Sequence, residues 1–249
     1  MAETIVPESP ATPASKGLIA RFVGVLTSPR DTYADIARRP TWLSMWLLIT
    51  VVTTVCAGWL SSTPVGRRAA IEATTKVTSS FGIQIPPERL DAIREQIMNA
   101  PAWRTYAQTG GGTLIFVPIV AAITAGILLG IFNALMGGDA RFKQVFSIVL
   151  FSDAIMVVKT VFVTPLNYAR ESLSNPTTFA ALLPMLDDTS LLSKVLGSID
   201  FFVLWWLFSL AIGVGVVYKR PTRGIAIGLI AVYVVLAVTI SAAIALISG

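Results

Sequence analysis

Two charged residues inside an apolar stretch are the strongest chemical signal in the sequence. Asp153 and Lys159 interrupt residues 146–163, FSIVLFSDAIMVVKTVFV, a run that carries no other charge. An ionisable side chain inside a membrane is costly unless it is paired, so it is a functional hypothesis by default. On a helix the two residues lie about 9 Å apart along the axis and about 120° apart around it. They therefore do not pair directly, and each needs its own partner.

The candidate partners come from neighbouring apolar runs. Asp153, together with Asn133, could bind a proton or a cation. A structural hydrogen bond or a water-filled crevice is the favoured interpretation, because neither a second acid nor a histidine accompanies Asp153. For Lys159 the preferred partner is Asp200, and the alternative is that its long side chain reaches outward to the membrane surface. These four residues form the candidate intramembrane polar site.

The residue types that most enzyme sites use are scarce. The chain has no histidine, the commonest general base and metal ligand, and its single cysteine, Cys56, lies in an apolar run. The adjacent acids Asp187 and Asp188 lack the spacing of a calcium-binding loop. We therefore predict no catalytic residues, no cofactor and no metal site, and hence a protein that is not an enzyme.

The composition is that of a polytopic membrane protein. Hydrophobic residues make up 54% of the 249 residues and charged residues 13%, with a mean hydropathy of +0.73. Soluble domains carry roughly 25% charged residues. A transmembrane helix needs about 20 apolar residues. Suitable runs predict an all-α fold with five transmembrane helices, at about residues 42–60, 114–136, 146–163, 201–217 and 225–247.

Basic residues predict the orientation of these helices. The link between the last two runs, YKRPTRG, contains three basic residues and no acid. By the positive-inside rule it faces the cytoplasm. The N-terminus then also lies in the cytoplasm and the C-terminus outside, in the inner (cytoplasmic) membrane of a cell. The net charge of +5 arises from basic residues scattered among 14 acids, which favours anionic lipids at the cytoplasmic face, and no nucleic acid, as partners.

The sequence divides into a tail, a surface segment and a membrane domain. Residues 1–15 are rich in Pro, Ala, Ser and Thr and are predicted to be a disordered tail. Residues 16–41 show two short amphipathic patterns, typical of cytoplasmic interfacial helices. Residues 42–249 form the membrane domain with its five helices. Within it, residues 61–112 are predicted to be an external helical insertion.

Shorter elements are expected between the spans. In the insertion, amphipathic helices are predicted at 64–81 and 88–106. A flexible glycine-rich lead-in to the second span is predicted at 109–113, TGGGT. Before the fourth span, the apolar pieces at 179–186 and 191–196 are too short to cross a membrane. They are predicted to be interfacial or re-entrant helices.

A further pattern concerns helix packing. Ala122, Gly126, Gly130 and Ala134 recur every four residues in the second run, so they share one face of the helix. Small side chains on such a face let the backbone of another helix approach closely. We predict that this small-residue stripe is a packing surface.

Three segments carry a resemblance to a known family: LTSPRDTYADIARRP, GGDARFKQVFSIVLFSDA and LLPMLDDTSLLSKVLGSIDFFVLWWLFSLAIGVGVVYKRPTRGIAIGLIAVY. From residue 26 onward the chain resembles the bacterial branch of the Yip1 domain family. The resemblance implies a five-span membrane protein with a cytosolic N-terminus. Eukaryotic relatives bind prenylated Rab GTPases, but this sequence lacks their Asp-Leu-Tyr-Gly-Pro motif. For the bacterial branch the resemblance implies no established activity.

Together these features predict a non-enzymatic integral membrane protein. The favoured function is that of a scaffold or accessory subunit, which associates with lipids and with a membrane-protein partner or further copies of itself. The alternative is a small transporter or channel in which Asp153 carries a proton or a cation, with Lys159 and Asn133 nearby. A polar cavity that reaches Asp153 from one side of the membrane would favour this alternative.

Overall fold

The structure is a computed structural model that describes residues 16–80, 84–183, 185 and 190–248. The predicted tail at 1–15 and the acids Asp187 and Asp188 lie outside the described residues. The described part is all-helical and contains no β-strand. A π-helical stretch, Gly130–Leu135, continues α6, and a 3-10 turn, Ala180–Leu182, precedes α9. The α-helices are α1 (Leu18–Thr27), α2 (Pro29–Arg38), α3 (Leu43–Ser62), α4 (Pro64–Ser80), α5 (Pro87–Met98), α6 (Ala102–Leu129), α7 (Phe142–Ser152), α8 (Ala154–Ala169), α9 (Leu191–Ser198), α10 (Phe201–Val217) and α11 (Thr222–Ser248).

Among the described residues, four helical stretches are long and apolar enough to cross a membrane: Leu43–Ser62, Ala102–Leu135, Phe142–Ala169 and Thr222–Ala243. They coincide with the first, second, third and last apolar runs of the sequence. The prediction of an all-helical, multi-pass membrane protein is therefore confirmed. α10 coincides with the fourth run and is an uncharged apolar helix of 17 residues, shorter than the other four stretches.

The third span, α7 with α8, is the centre of the helix bundle. Of its most apolar window 61% is buried inside the protein, compared with 17% for the second and last spans. Residues 145–152 of α7 are all buried, which a helix can sustain only when it is packed on every side. The helices α1, α2, α3, α6 and α10 contact α7 or α8. The hydrophobic core is therefore organised around this span.

The second N-terminal helix is part of this core. Pro29 occupies the first turn of α2 after Ser28, because its fixed φ suits that position and its missing N–H is not needed there. Tyr33 and Ile36 of α2 are completely buried, and α2 packs against α7 and α10. A helix predicted to be interfacial thus also contributes side chains to the bundle interior.

Arg21 joins the first N-terminal helix to its neighbours. Only 3% of its surface is exposed, and its guanidinium donates to Asp35 Oδ2 at 2.9 Å and to Thr41 Oγ1 at 2.5 Å. A third hydrogen bond reaches the carbonyl of Arg39. A buried arginine must have its donors satisfied. Arg21 meets this requirement by linking α1 to α2 and to the segment before α3.

The predicted external insertion contains α4 and α5. The second helix predicted there, at 88–106, is wrong beyond Met98, where α5 ends. Pro101 causes the break, because it cannot donate to the helical ladder and disfavours a helical conformation in the residue before it. Arg67 of α4 donates to the carbonyls of Met98 and Ala100. It thereby satisfies backbone acceptors that the end of α5 leaves free.

The flexible lead-in predicted at 109–113 is also wrong. These residues lie inside α6, which begins at Ala102. Gly110 has a packing reason: a Cβ there would lie 3.1 Å from Thr54 Oγ1 of α3, so the bare backbone lets the two helices approach closely. The helical stretch of 34 residues is longer than the roughly 20 residues that cross a hydrocarbon core, so it projects beyond the core.

The small-residue stripe of the second span faces outward. Gly126, Gly130 and Ala134 are exposed and Ala122 is half-buried, and a Cβ at either glycine would meet no atom within 4 Å. The bundle instead buries another face of this helix, which contains Ala121, Ala125, Leu128 and Phe132. Among the described residues, Gly126 and Gly130 therefore pack against no other helix of this chain, whereas Ala122 packs against the edge of the core. A contact with another molecule stays a prediction.

Gly213 of α10 tests how closely the core helices approach. A Cβ there would lie 2.4 Å from Ile148 Cγ2 and 3.2 Å from the ring of Tyr33, and both side chains are buried. We expect Gly213→Ala to lower the free energy of unfolding in detergent by about 1–3 kcal/mol through overpacking. Gly228→Ala is the matched control, because its Cβ meets open space and alanine favours helix. Equal stabilities would contradict the close packing.

Candidate functional site

Asp153 lies at an interruption of the third span. It is the residue between α7 and α8, with a ψ of −4°, and its N–H points toward the carbonyls of Val149 and Leu150 at 3.3 and 3.2 Å. The hydroxyl of Ser152 donates to the carbonyl of Ile148 at 2.8 Å. A side chain that bonds to the preceding turn in this way tends to bend a helix. The interruption therefore coincides with Ser152 and Asp153, two polar residues near the centre of the span.

The Asp153 carboxylate has one hydrogen-bond donor. Trp206 Nε1 of α10 donates to Oδ1 at 2.7 Å, and Asp153 is half-buried. Within the described residues Asp153 forms no ion pair, and no three His, Cys, Asp or Glu side chains come together where they could hold a metal. The indole contact agrees with the structural interpretation of Asp153. A part in transport stays a prediction.

Asn133 does not join Asp153. Its side-chain amide donates to the carbonyl of Ala140 at 2.8 Å, in the link that follows the second span. The chain turns there through Gly137, whose φ of +72° favours glycine. A helix end leaves carbonyls without partners, so the link offers Asn133 a nearby acceptor. In the described part of the chain, Asn133 and Asp153 thus bond to different partners, and their joint part in binding a proton or a cation stays a prediction.

Beside Asp153, three hydroxyl groups form a buried network that the sequence did not indicate. Tyr33 Oη lies 2.9 Å from Ser152 Oγ and 2.6 Å from Ser209 Oγ, so it joins α2, α7 and α10. Burial raises the pKa of Tyr33 to about 12, and the phenol therefore stays neutral at physiological pH. The sequence signal for this network was that Tyr33 lies on the same helical face as Ile36.

Asp200 collects five side-chain hydrogen bonds at the start of α10. Its Oδ2 accepts from Lys159 Nζ and Asn175 Nδ2 at 2.5 Å each and from Thr177 Oγ1 at 2.8 Å. Its Oδ1 accepts from two backbone N–H groups in the first turn of α10, at 2.7 and 3.2 Å, and so caps the helix. The ion pair predicted between Lys159 and Asp200 is present.

The backbone around Asp200 extends this junction to α9 and α11. Its N–H donates to Tyr233 Oη of α11 at 3.1 Å, and the same hydroxyl donates to the carbonyl of Ser198 at 2.8 Å. Thr178 and Asp200 form an antiparallel bridge. Asn175, Thr177 and Tyr233 were missed by the sequence reasoning, because neither periodicity nor charge marks them. We call this cluster the Asp200 junction.

The Asp200 junction is charged and buried. Only 3% of Asp200 is exposed. Burial alone would raise the pKa of its carboxyl, but the hydrogen bonds from Lys159, Asn175 and Thr177, with the charge of Lys159, hold the pKa below its ordinary value. An ionised aspartate with satisfied oxygens fixes side-chain positions. The arrangement is therefore suited to holding helices together rather than to exchanging a proton.

A second polar feature is a basic groove at the end of the bundle where α2 and α10 finish. Arg38, Arg141 and Lys219, with Asp139, line a groove of about 550 Å³. Gln144 bridges two of the segments, because it donates to a backbone carbonyl of α2 at 2.9 Å. Three basic side chains from separate segments give this end of the molecule a positive potential.

Comparison with known proteins gives one family. A family model described as the Yip1 domain matches residues 23–244. The match begins within α1 and ends within α11, so it includes the Asp200 junction, Asp153 and the basic groove. Neither the curated proteins nor the solved structures give a significant match.

The lowered pKa of Asp200 makes a pH-dependent prediction. The ordinary aspartate pKa is about 3.9, so the ionised carboxylate stabilises the fold above that pH, and this is lost as the pH falls through the lower folded-state pKa. We expect Asp200→Asn to cost about 3 kcal/mol of unfolding free energy at pH 7. In thermal unfolding, the difference in melting temperature between Asp200→Asn and wild type should become smaller below about pH 4.

The matched control for this prediction is Asp91→Asn. Asp91 also forms an ion pair, with Arg94 at 3.2 Å, but its side chain is 72% exposed. Exposed pairs contribute little to stability, so this variant should melt close to wild type at every pH. If Asp200→Asn also melts like wild type at pH 7, the Asp200 junction does not stabilise the bundle.

Proposed function

Because the chain belongs to the Yip1 domain family, we propose that it is a non-enzymatic scaffold or accessory subunit of the inner (cytoplasmic) membrane. In this proposal α10 is a further span, so five helices cross the bilayer. Membrane lipids, including anionic lipids at the cytoplasmic face, and a membrane-protein partner or further copies of the chain surround the bundle. The bacterial branch of the family is part of the proposal.

Three features support five spans with the N-terminus inside. The 17 apolar residues of α10 fall at the short end of the range that can cross a hydrocarbon core, about 17 to 25 residues. Arg38, Arg141 and Lys219 lie around one groove, so basic residues from the N-terminal segment and from two links between spans share one end of the bundle. The positive-inside rule assigns that end to the cytoplasm, and five crossings then leave the C-terminus outside.

The observation that carries the scaffold proposal is the outward-facing small-residue stripe of α6. Gly126 and Gly130 have open space at the Cβ position, although glycine weakens a helix by about 1 kcal/mol relative to alanine. In lipid, such residues favour association because a second helix can approach the backbone and gain packing contacts. The chain's own helices use the other face of α6, so a helix from another molecule is the partner that fits.

The scaffold proposal predicts assembly through this stripe. Mild-detergent extraction from native membranes, native gel separation and mass spectrometry should show the chain migrating with a larger complex or oligomer at fixed stoichiometry. We expect Gly126→Leu with Gly130→Leu to reduce that comigrating fraction by about tenfold, since bulky side chains keep a helix backbone away.

The control variant for assembly carries the same type of substitution in the same helix, outside the stripe. Gly111→Leu also replaces a glycine of α6 whose Cβ would meet open space, but it lies outside the stripe and should leave comigration unchanged. Thermal unfolding confirms that each variant folds. A wild-type chain that migrates alone, or a control that loses assembly equally, contradicts the scaffold proposal.

A second candidate function, transport of a proton or a cation, is favoured by the interruption at Asp153. Broken helices place backbone and side-chain polar groups at ion sites in many transporters. Here the interruption is one residue long, since the N–H of Asp153 still points toward the carbonyl of Val149, and one oxygen of its carboxylate accepts from Trp206. Within the described residues no basic side chain neutralises it. This candidate requires an aqueous path to Asp153.

The transport candidate is tested in proteoliposomes. If Asp153 carries the ion, wild-type protein should conduct protons or monovalent cations, and Asp153→Asn should abolish the flux because the neutral amide cannot accept a proton or balance a cation. Asp139→Asn, at an exposed acid in the basic groove, is the control and should conduct normally. Wild-type flux equal to that of protein-free liposomes excludes the candidate.

A further inference from the structure

A second groove lies between α10 and α11, distinct from the basic groove. It has a volume of about 540 Å³, and its walls are mainly apolar. Two arginines contribute to it: Arg30 from the first turn of α2 and Arg223 from the first turn of α11. The other lining residues are Phe208, Ile212, Thr222, Ala226, Ile227 and Ile230. We call it the Arg30–Arg223 groove.

The two arginines are free to bind a ligand. Both are exposed, and in the described part of the chain neither has a hydrogen bond or an ion pair with a carboxylate. Among the residues that the structure describes, no acid lines the groove. A guanidinium binds phosphate through two parallel N–H donors, a geometry that lysine lacks. Charge and donor geometry therefore both favour a phosphate group as the ligand.

The apolar wall extends from the arginines into the membrane-spanning part. From Thr222 to Ile230 the groove follows nine residues of α11, whose eight steps correspond to about 12 Å along the axis. One leaflet of the hydrocarbon core is about 15 Å thick. Phe208 and Ile227 are at least half exposed, so their side chains present apolar surface to whatever fills the groove. The shape matches a charged head with an acyl chain attached.

We propose that the Arg30–Arg223 groove binds an anionic phospholipid. Its phosphate lies against Arg30 and Arg223, with the hydroxyl of Thr222 as a further donor, and one acyl chain lies along Phe208, Ile212, Ile227 and Ile230. The ligand comes from the leaflet at the end of the bundle where α10 passes into α11. This deepens the lipid contact in the proposed function, and it requires that α10 and α11 both lie in the bilayer.

A phospholipid fits better than a helix from another protein. A helix that filled the apolar wall would leave two exposed arginines at its end, and would need its own acids at that depth to pair with them. An anionic phospholipid supplies phosphate and hydrocarbon at the required spacing in every molecule. A zwitterionic lipid has the same phosphate, but its ammonium group repels the arginines, so the groove should discriminate between the two.

The test is lipid titration of the purified full-length protein, followed by native mass spectrometry. The probes are phosphatidylglycerol and phosphatidylcholine with identical acyl chains. We expect wild type to bind phosphatidylglycerol about tenfold more tightly, in line with hydrogen bonds between charged groups. The double variant R30Q/R223Q should lose this preference. The control R38Q/R141Q removes the same charge from the basic groove and should keep it.

Two further arms separate a lipid from a free anion and guard against misfolding. Ile227→Trp should fill the apolar wall and weaken phosphatidylglycerol binding while both arginines remain. A large excess of inorganic phosphate should leave the bound lipid in place. Thermal unfolding confirms that each variant folds.

Four outcomes overturn the proposal: equal binding of both lipids, an equal loss in R38Q/R141Q, displacement by inorganic phosphate, and undiminished binding by folded Ile227→Trp. None of them bears on the comigration experiment. Failure of the lipid site and failure of the scaffold function are therefore distinguished.

Discussion

The ion pair between Lys159 and Asp200 is the interaction on which the architecture at one end of the bundle depends. One carboxylate caps α10, neutralises a lysine of the third span and accepts from Asn175 and Thr177. A lysine inside a span costs free energy when it has no partner. An aspartate that is buried without a partner is also costly. Each charge therefore requires the other. The segments that carry them must stay together, and α11 is joined to them through Tyr233.

The polar groups deeper in the bundle also have partners, but they are held by hydrogen bonds instead of an ion pair. Tyr33, Ser152 and Ser209 satisfy one another in the core, and Asp153 is held by an indole rather than by a cation. The hydrogen bonds among the three hydroxyl groups suit a buried location because they carry no charge that must be desolvated. They also specify how α2, α7 and α10 are aligned, which apolar contacts alone would leave less defined.

Sequence patterns predicted those features that depend on local composition or on single unusual residues. The apolar runs located the four long helices, and the isolated charges of Lys159 and Asp200 led to their pairing. The missed residues depend on tertiary contacts. In the sequence Trp206 is one of many apolar residues. Its hydrogen bond to Asp153 forms only because α10 packs against the third span. The glycines of α6 were assigned to a flexible segment at 109–113, although Gly110 serves close packing against Thr54. Periodicity placed the small-residue stripe on one face of α6, but it does not reveal what covers that face, so the packing role of the stripe stays a prediction.

The last helix shows how the two proposed surfaces can coexist. α11 is fastened near its middle by Tyr233 and closer to its C-terminal end by the contact between Ser198 and Ser241 at 2.5 Å. At the other end, the turn before it is fixed by Arg220, which donates to the carbonyls of Gly215 and Met136 at 2.9 Å. The part of α11 that lines the Arg30–Arg223 groove, residues 222–230, lies between these two sets of contacts. The small-residue stripe belongs to α6, so a protein bound there need not displace a lipid bound against α10 and α11.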